Sequence, residues 1–182
     1  IGGRNLILNS QTPRDVFNET QLERYINYDI ASGTLEPNTE YTLTWEYLTS
    51  GNFLPSMVFF VSEVEDHRNI TGILATYNTF IKKSWTFRTS TNPNQKGFIR
   101  FDHKGSTDGN NCLLEVKNVK LEKGNKYTDW TPAPEDVDKA INKAQNDANQ
   151  ANNALNDIAS DNKLSPSEKQ TTLNERNRIK LE

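Results

Sequence analysis

The chain has 182 residues, 34% of them hydrophobic and 25% charged, with a formal net charge of −3, a pI near 5.5 and a mean hydropathy of −0.80. That length fits one medium domain with an appendage, and a mildly acidic balance argues against nucleic acid or an anionic membrane as partner, since both select clustered Lys and Arg. No apolar run approaches the roughly 20 residues that span a bilayer, and the single Cys112 excludes an internal disulfide or a cysteine-based zinc site.

Composition divides the chain near residue 131. All 17 aromatics and all 9 glycines precede Thr131, whereas residues 133–182 hold seven Ala, nine Asn and neither aromatic nor Gly. A segment without bulky side chains builds no globular core but suits a helix. Residues 1–131 are therefore expected to form the folded domain and 132–182 a helical stalk, with Pro132 and Pro134 directing the chain into the first helical turn.

Within the first region, short apolar or alternating runs are separated by turn residues. Arg4–Asn9 reads as a first strand, Leu22–Ala31 as a second with Ile26, Tyr28 and Ile30 on one face. Glu40–Leu48 alternates Tyr41, Leu43, Trp45 and Tyr47 against Thr42, Thr44 and Glu46. Ser56–Val64 and Ile70–Tyr77 are apolar enough for central strands, and Ser84–Thr91, Gly97–His103 and Cys112–Glu122 complete a set of about eight. Turn signals such as Ser50-Gly51-Asn52 and Asn92-Pro93-Asn94 separate them. The expected fold is mainly β, an antiparallel sandwich or jelly roll followed by a C-terminal α-helical, coiled-coil-like segment.

In the stalk, Val137, Ile141, Ala144, Ala148, Ala151, Leu155 and Ile158 recur at spacings of 4 and 3. This heptad stripe predicts a helix over about 134–160, a rod on the order of 33 Å along the stripe. Its alanine centre buries little apolar area, so it requires flanking domains or a second helix to associate. Ser165-Pro166-Ser167-Glu168 predicts that second helix from about 166, with Ser165 as N-cap and Glu168 closing a capping box.

Catalytic signatures are sparse. His67 lies in the charged turn Glu65-Asp66-His67-Arg68 and His103 beside Asp102, neither in a nucleophile motif, and no Gly-rich phosphate loop occurs. Glu46 and Asp102 point away from the apolar faces of their strands, so a glycoside-hydrolysing pair is conceivable only if they flank one cleft. Asp102–Asn111 superficially resembles a calcium loop but lacks the alternating ligands and closing Glu of an EF-hand, and reads as a turn. The readings that fit better are binding and scaffolding. Trp45, Tyr47 and Trp85 share strand faces with Leu43 and Phe87, which assigns them to the core. Outward-pointing Glu46, Arg88, Arg100 and Asp102 would form one polar cluster, able to hold sugar hydroxyls, if their strands are neighbours. His103 is either a strand-end surface residue or a ligand contact, and Tyr77, at a strand end, is the candidate for stacking on a sugar ring. The competing reading of the same cluster is a salt-bridged outer sheet face.

Several segments resemble a known family. Gly3-Arg4-Asn5-Leu6-Ile7-Leu8-Asn9-Ser10 is similar to the opening of a module widespread in phage and prophage tail proteins, and Val119–Asp136, with Tyr127-Thr128-Asp129-Trp130-Thr131-Pro132, to its closing signature. Pro37–Trp45 resembles the turn and strand of jelly-roll carbohydrate-binding modules. Ser160–Lys169 resembles a segment that follows such modules in tail proteins of phages infecting Gram-positive bacteria. The resemblance implies a non-enzymatic tail module that binds host cell-wall or surface polysaccharide, or else a structural spacer without ligand. It also implies a virion-tail location, other tail proteins as partners and a homo-oligomer (a trimer in tail fibres) in the full-length protein. No cofactor is required; a structural calcium is a family feature for which no residue set maps here. The opening on Ile1 reads as a segment of a longer chain, and no signal peptide is expected in it.

Overall fold

The computed structural model describes residues 3–19, 23–62, 68–91, 93, 97–160 and 165–179. Eight strands fill the first region: β1 (Arg14–Asn18), β2 (Arg24–Asp29), β3 (Glu40–Thr49), β4 (Ser56–Ser62), β5 (Arg68–Ile73), β6 (Ile81–Arg88), β7 (Gly97–His103) and β8 (Cys112–Lys123). They form two antiparallel four-stranded sheets, ordered β1-β8-β3-β6 and β2-β7-β4-β5. Strands 1 and 8, 2 and 7, 3 and 6, and 4 and 5 pair in succession, as in a long hairpin rolled across two layers. This is a jelly roll.

Period-two alternation builds the core. Tyr41, Leu43, Trp45 and Tyr47 from β3 and Leu114, Val116, Val119 and Leu121 from β8 meet Ile26 and Tyr28, Ile99 and Phe101, and Val58 and Phe60 of the other sheet. Trp45 and Tyr28 each pack edge-on against Phe101, with ring centroids 5.9 and 6.1 Å apart. A register shift in the β3–β8 ladder between Thr44 and Glu46 restores the inward phase across a kink.

Four expectations are corrected. Residues 4–9 are not a strand: Ile7 makes a single bridge to Ile30, while Leu6 N donates to Leu121 O and Leu8 N to Asp29 O, so the segment crosses between the sheets. The cause is Asn5, fully buried, whose Oδ1 accepts from Ile7 N and Leu121 N and whose Nδ2 donates to Val119 O and Thr131 O. The actual first strand, Arg14–Asn18, is a five-residue edge that sequence alternation misses. β5 ends at Ile73 and lies at a sheet edge rather than centrally. Trp85 has the inward phase yet is 41% exposed, because β6 is also an edge and the ring projects past the core.

Helix α1 (Pro134–Ser160) and helix α2 (Pro166–Ile179) follow. The chain divides into two compact units, residues 1–137 and 138–182. Within the first unit the α1 start is tied down: Arg4 pairs with Glu135, and Asn9 N donates to Asp136 Oδ2. In the second unit the capping box forms as expected, with Ser165 N donating to Glu168 Oε2 (2.6 Å) and Glu168 N to Ser165 Oγ. Hydrogen bonds from the Ser165 hydroxyl and backbone N–H hold the Glu168 carboxyl below its usual range. The heptad stripe lies open to solvent, Ile141 and Leu155 being 59% and 63% exposed; the side chain of Ile158 and the turn at 161–164 are outside the described residues. No described helix is long and apolar enough to cross a membrane.

Candidate functional site

The outward residues of the two sheets have different fates. On the β1-β8-β3-β6 sheet, Thr42, Thr44, Lys120 and Glu122 point away from the core yet are all buried. Thr42 Oγ1 bonds Thr86 Oγ1 and Gly124 O, and the segment that follows β8 closes over Lys120 and Glu122. Lys120 Nζ donates to Thr128 Oγ1 (2.6 Å) and Asp129 O (2.9 Å), and Glu122 accepts from Thr128 N (2.7 Å) and Gly3 N (3.0 Å). Trp130 Nε1 donates to Ser10 Oγ, and Ala133 is fully buried. Elsewhere on this face Glu46 lies 3.8 Å from Lys117, accepts from Asn118 Nδ2 and stands opposite Lys82, while Arg88 reaches Glu40 and Asn38 O.

On the outer face of the β2-β7-β4-β5 sheet Tyr25 is half-exposed, while Asp102 beside it is buried. Because Ile26, Tyr28, Ile99, Phe101, Val58 and Phe60 face the core, their neighbours Tyr25, Asn27, Phe98, Arg100, Asp102 and Phe59 face out. The register places Tyr25 beside Asp102, and Arg100 between Asn27 and Phe59. The guanidinium carbon of Arg100 lies over the Tyr25 ring, 4.2 Å from its centroid, and the ring is half-exposed. Its guanidinium is fixed by Asp102 Oδ1 (2.5 Å) and Glu23 Oε2 (2.9 Å). Burial pushes the Asp102 carboxyl up to about 6, helped by its hydrogen bond to Glu23 and opposed by Arg100. The same hydrogen bond lowers Glu23, the acceptor of the pair. Asn27 Oδ1 is buried without a hydrogen-bond partner among the described residues. A half-exposed ring beside a braced guanidinium can hold a polyhydroxylated ligand, stacking on its C–H face and bonding its hydroxyls.

The expected single cluster is thus divided. Arg100 and Asp102 lie on this open face, whereas Glu46 and Arg88 lie on the ion-paired face of the other sheet, because β3 and β6 pair with β8 and not with β7. The same division separates Glu46 from Asp102 by the thickness of the sandwich, so they flank no common bond. His103 is fully buried and offers nothing to a ligand. Gly105 N donates to its Nδ1, so Nε2 carries the proton toward Cys112 O at 3.0 Å, and burial lowers its pKa. The Phe53 ring and the Cys112 thiol complete that interior cluster. Tyr77 sits apart from both faces, 74% exposed, on the turn between β5 and β6. His67 lies outside the described residues, and among the described residues no group of three or more His, Cys, Asp or Glu is placed to hold a metal.

Sequence reasoning missed Tyr25, Glu23 and Asn27. The signal was present: in a strand that buries Ile26 and Tyr28, Tyr25 has the outward phase, and an outward aromatic beside charged residues marks a binding surface more strongly than polar residues alone.

No protein-family model matches the chain, and no curated protein does. The chain is similar to solved structures. One is the tripod from the baseplate of bacteriophage Tuc2009, at 15% identity and a TM-score of 0.47, with 73% of this chain and 59% of that one covered. Another is the N-terminal cellulose-binding domain of β-1,4-glucanase C from Cellulomonas fimi, at 14% identity and a TM-score of 0.42, covering 69% of this chain and 99% of that one. A third, containing a carbohydrate-binding module and catalytic domain of Clostridium thermocellum xylanase 10B complexed with xylohexaose, has 12% identity and a TM-score of 0.38, covering 68% and 28%.

Proposed function

We propose that the sandwich is a non-catalytic saccharide-binding module of a phage or prophage tail protein, holding host-surface polysaccharide on the outer face of the β2-β7-β4-β5 sheet. The observation that carries this reading is the Tyr25–Arg100–Asp102 arrangement. Desolvating a guanidinium against two carboxyls and an aromatic ring on an open sheet contributes little to folding that aliphatic residues would not. It does fix planar donors and a stacking surface in advance of a ligand. The opening and closing segments that resemble tail modules supply the biological setting. Binding by one head is weak in this reading, and repetition along the tail raises avidity, with the exposed heptad stripe of α1 bringing copies together.

The test is an array of purified cell-wall polysaccharides from Gram-positive hosts, probed with the wild type, Tyr25→Ala and Arg100→Ala. Binding by the wild type that falls at least tenfold in Tyr25→Ala, with the melting temperature within a few degrees, is the expected result. A wild type that binds no host polysaccharide overturns the reading in favour of a spacer, whose supporting observation is the sealed, ion-paired face of the other sheet.

A further inference from the structure

We infer that the loop end of the sandwich carries a second saccharide site, separate from the sheet face, in which the ring of Tyr77 is a stacking platform for a terminal hexopyranose. The backbone supplies the first observation. Thr76–Thr79 closes as a tight turn, Thr79 N donating to Thr76 O at 3.1 Å, with Tyr77 and Asn78 both left-handed at φ 52° and 61°. The first central position of such a turn ordinarily holds Asn, Asp or Gly, because an L-residue with a bulky side chain is strained there. A tyrosine kept at that position needs a reason other than the turn.

The second observation is what the ring rests on. A Cβ added to Gly51 would lie 2.8 Å from Cδ1 and 3.1 Å from Cε1 of Tyr77, so the ring lies directly on the Gly51 backbone. Gly51 has no left-handed φ, which means that the ring, and not the local backbone, demands glycine there. The other side of the ring remains open. The turn beneath it is bolted to the end of β3: Thr49 and Thr76 exchange backbone-to-hydroxyl bonds of 2.8 Å each way, and Asn78 N donates to Thr49 O at 2.8 Å. The platform is therefore rigid before any ligand arrives.

Polar groups stand alongside. Next to Gly51, Asn52 Nδ2 donates to Asp108 Oδ1 (2.9 Å) and Asn110 O (3.2 Å), and Asn110 N donates to Asp108 Oδ1 (3.0 Å). The Asn52 and Asn110 bonds hold the exposed Asp108 carboxyl down to about 2, so it remains an acceptor at any physiological pH. A bare aromatic face beside a fixed carboxylate and amides matches a sugar ring, which offers C–H groups on one face and hydroxyls at its rim. The sequence neighbours of Tyr77 and Gly51, Thr76, Asn78 and Asn52, are polar, unlike the apolar border with which a protein hot spot excludes water.

The test is saturation-transfer NMR on the full chain with the methyl glycosides of glucose, galactose, rhamnose and N-acetylglucosamine, each at millimolar concentration. The variants are Tyr77→Asn, Gly51→Ala and Tyr25→Ala, with melting temperatures recorded. At least one glycoside is expected to show transfer that survives Tyr25→Ala, drops at least tenfold in Tyr77→Asn and drops also in Gly51→Ala. Asn suits the left-handed position, so Tyr77→Asn is expected to raise the melting temperature by roughly 2–4 °C while losing binding. Transfer indifferent to Tyr77, or absent for every glycoside, overturns the inference. So does Tyr77→Asn lowering the melting temperature, which would make the ring a structural clasp. Transfer abolished equally by Tyr25→Ala reduces the two sites to the sheet face alone.

Discussion

The two outer faces of the sandwich are both charged and differ in what their charges meet. On the β1-β8-β3-β6 side, Lys120 and Glu122 are 0% and 2% exposed and bonded to Thr128 and Asp129, Glu46 pairs with Lys117 and Arg88 with Glu40, while Asp15 and Glu115 stand opposite each other. On the β2-β7-β4-β5 side, Arg100 is stacked on a half-exposed tyrosine and held by carboxyls, with its amide neighbour Asn27 unsatisfied. Charge density alone therefore does not identify a binding face.

The largest expected effect breaks the closed face. Lys120 and Glu122 lie 3.5 Å apart, and each also serves residues 128–129. Lys120→Met leaves Glu122 as a buried carboxylate without its cation, a loss expected to cost about 3–5 kcal/mol. At roughly 2–4 °C per kcal/mol, a thermal melt should fall by about 10 °C. The Lys120→Met/Glu122→Leu double variant removes both charges and is expected to recover more than half of that loss. A single variant as stable as the wild type would mean that residues 125–133 do not depend on the pair and that this face is not a structural seal.

A smaller effect sharpens the open face. Asp102 titrates near 6 because it is buried and bonded to Glu23, above the ordinary aspartate value of 3.8. The folded chain thus holds this proton more tightly than the unfolded one. Asp102 adds stability that is complete below pH 3.8 and is lost as pH rises through about 6. Glu23 acts in the opposite sense: its pKa is lowered, so its contribution is present above the ordinary glutamate range and fades as pH falls through its folded value. Carboxyl-resolved NMR should place one midpoint near pH 6 and assign it to Asp102. Arg100→Ala should move that midpoint upward, since the guanidinium favours the ionised form.

The strand pattern was legible wherever both faces of a strand differ in polarity. β3 and β7 alternate cleanly, so Leu43, Trp45, Ile99 and Phe101 were placed in the core from their phase alone, and β7 has the expected bounds. Of the edge strands, β1 was not legible, being too short to alternate, and β6 was read with Trp85 inward although it buries only Phe87. Which strands are neighbours is not encoded in phase. Glu46 and Arg100 have the same outward character in sequence, and only the pairing order shows them on opposite sides of the molecule. His103 was illegible for a different reason: its imidazole is satisfied by a backbone N–H two residues on and by Cys112 O, contacts that arise only once β7 and β8 have folded back at this end. The helical boundaries, in contrast, follow from local signals. Pro134, the heptad stripe and the Ser165–Glu168 box each act within a few residues.

The smallest expected effect is the one that discriminates between the faces most directly. Glu46 is partly exposed, 3.8 Å from Lys117, with Asn118 Nδ2 at 3.0 Å. An exposed pair of this kind is worth about 0–1 kcal/mol, so Glu46→Ala should move stability by no more than that. Polysaccharide binding should not change at all, because the side chain points from the sheet that residues 125–133 cover elsewhere. Arg88→Ala, at the far end of the same sheet, should behave alike, whereas Tyr25→Ala should lose binding with a similarly small change in stability. Stability cannot separate these variants; only the binding assay can. Binding lost in Glu46→Ala and retained in Tyr25→Ala would move the ligand to the ion-paired face, and the saturated salt bridges would then be the resting state of a site that ligand hydroxyls open.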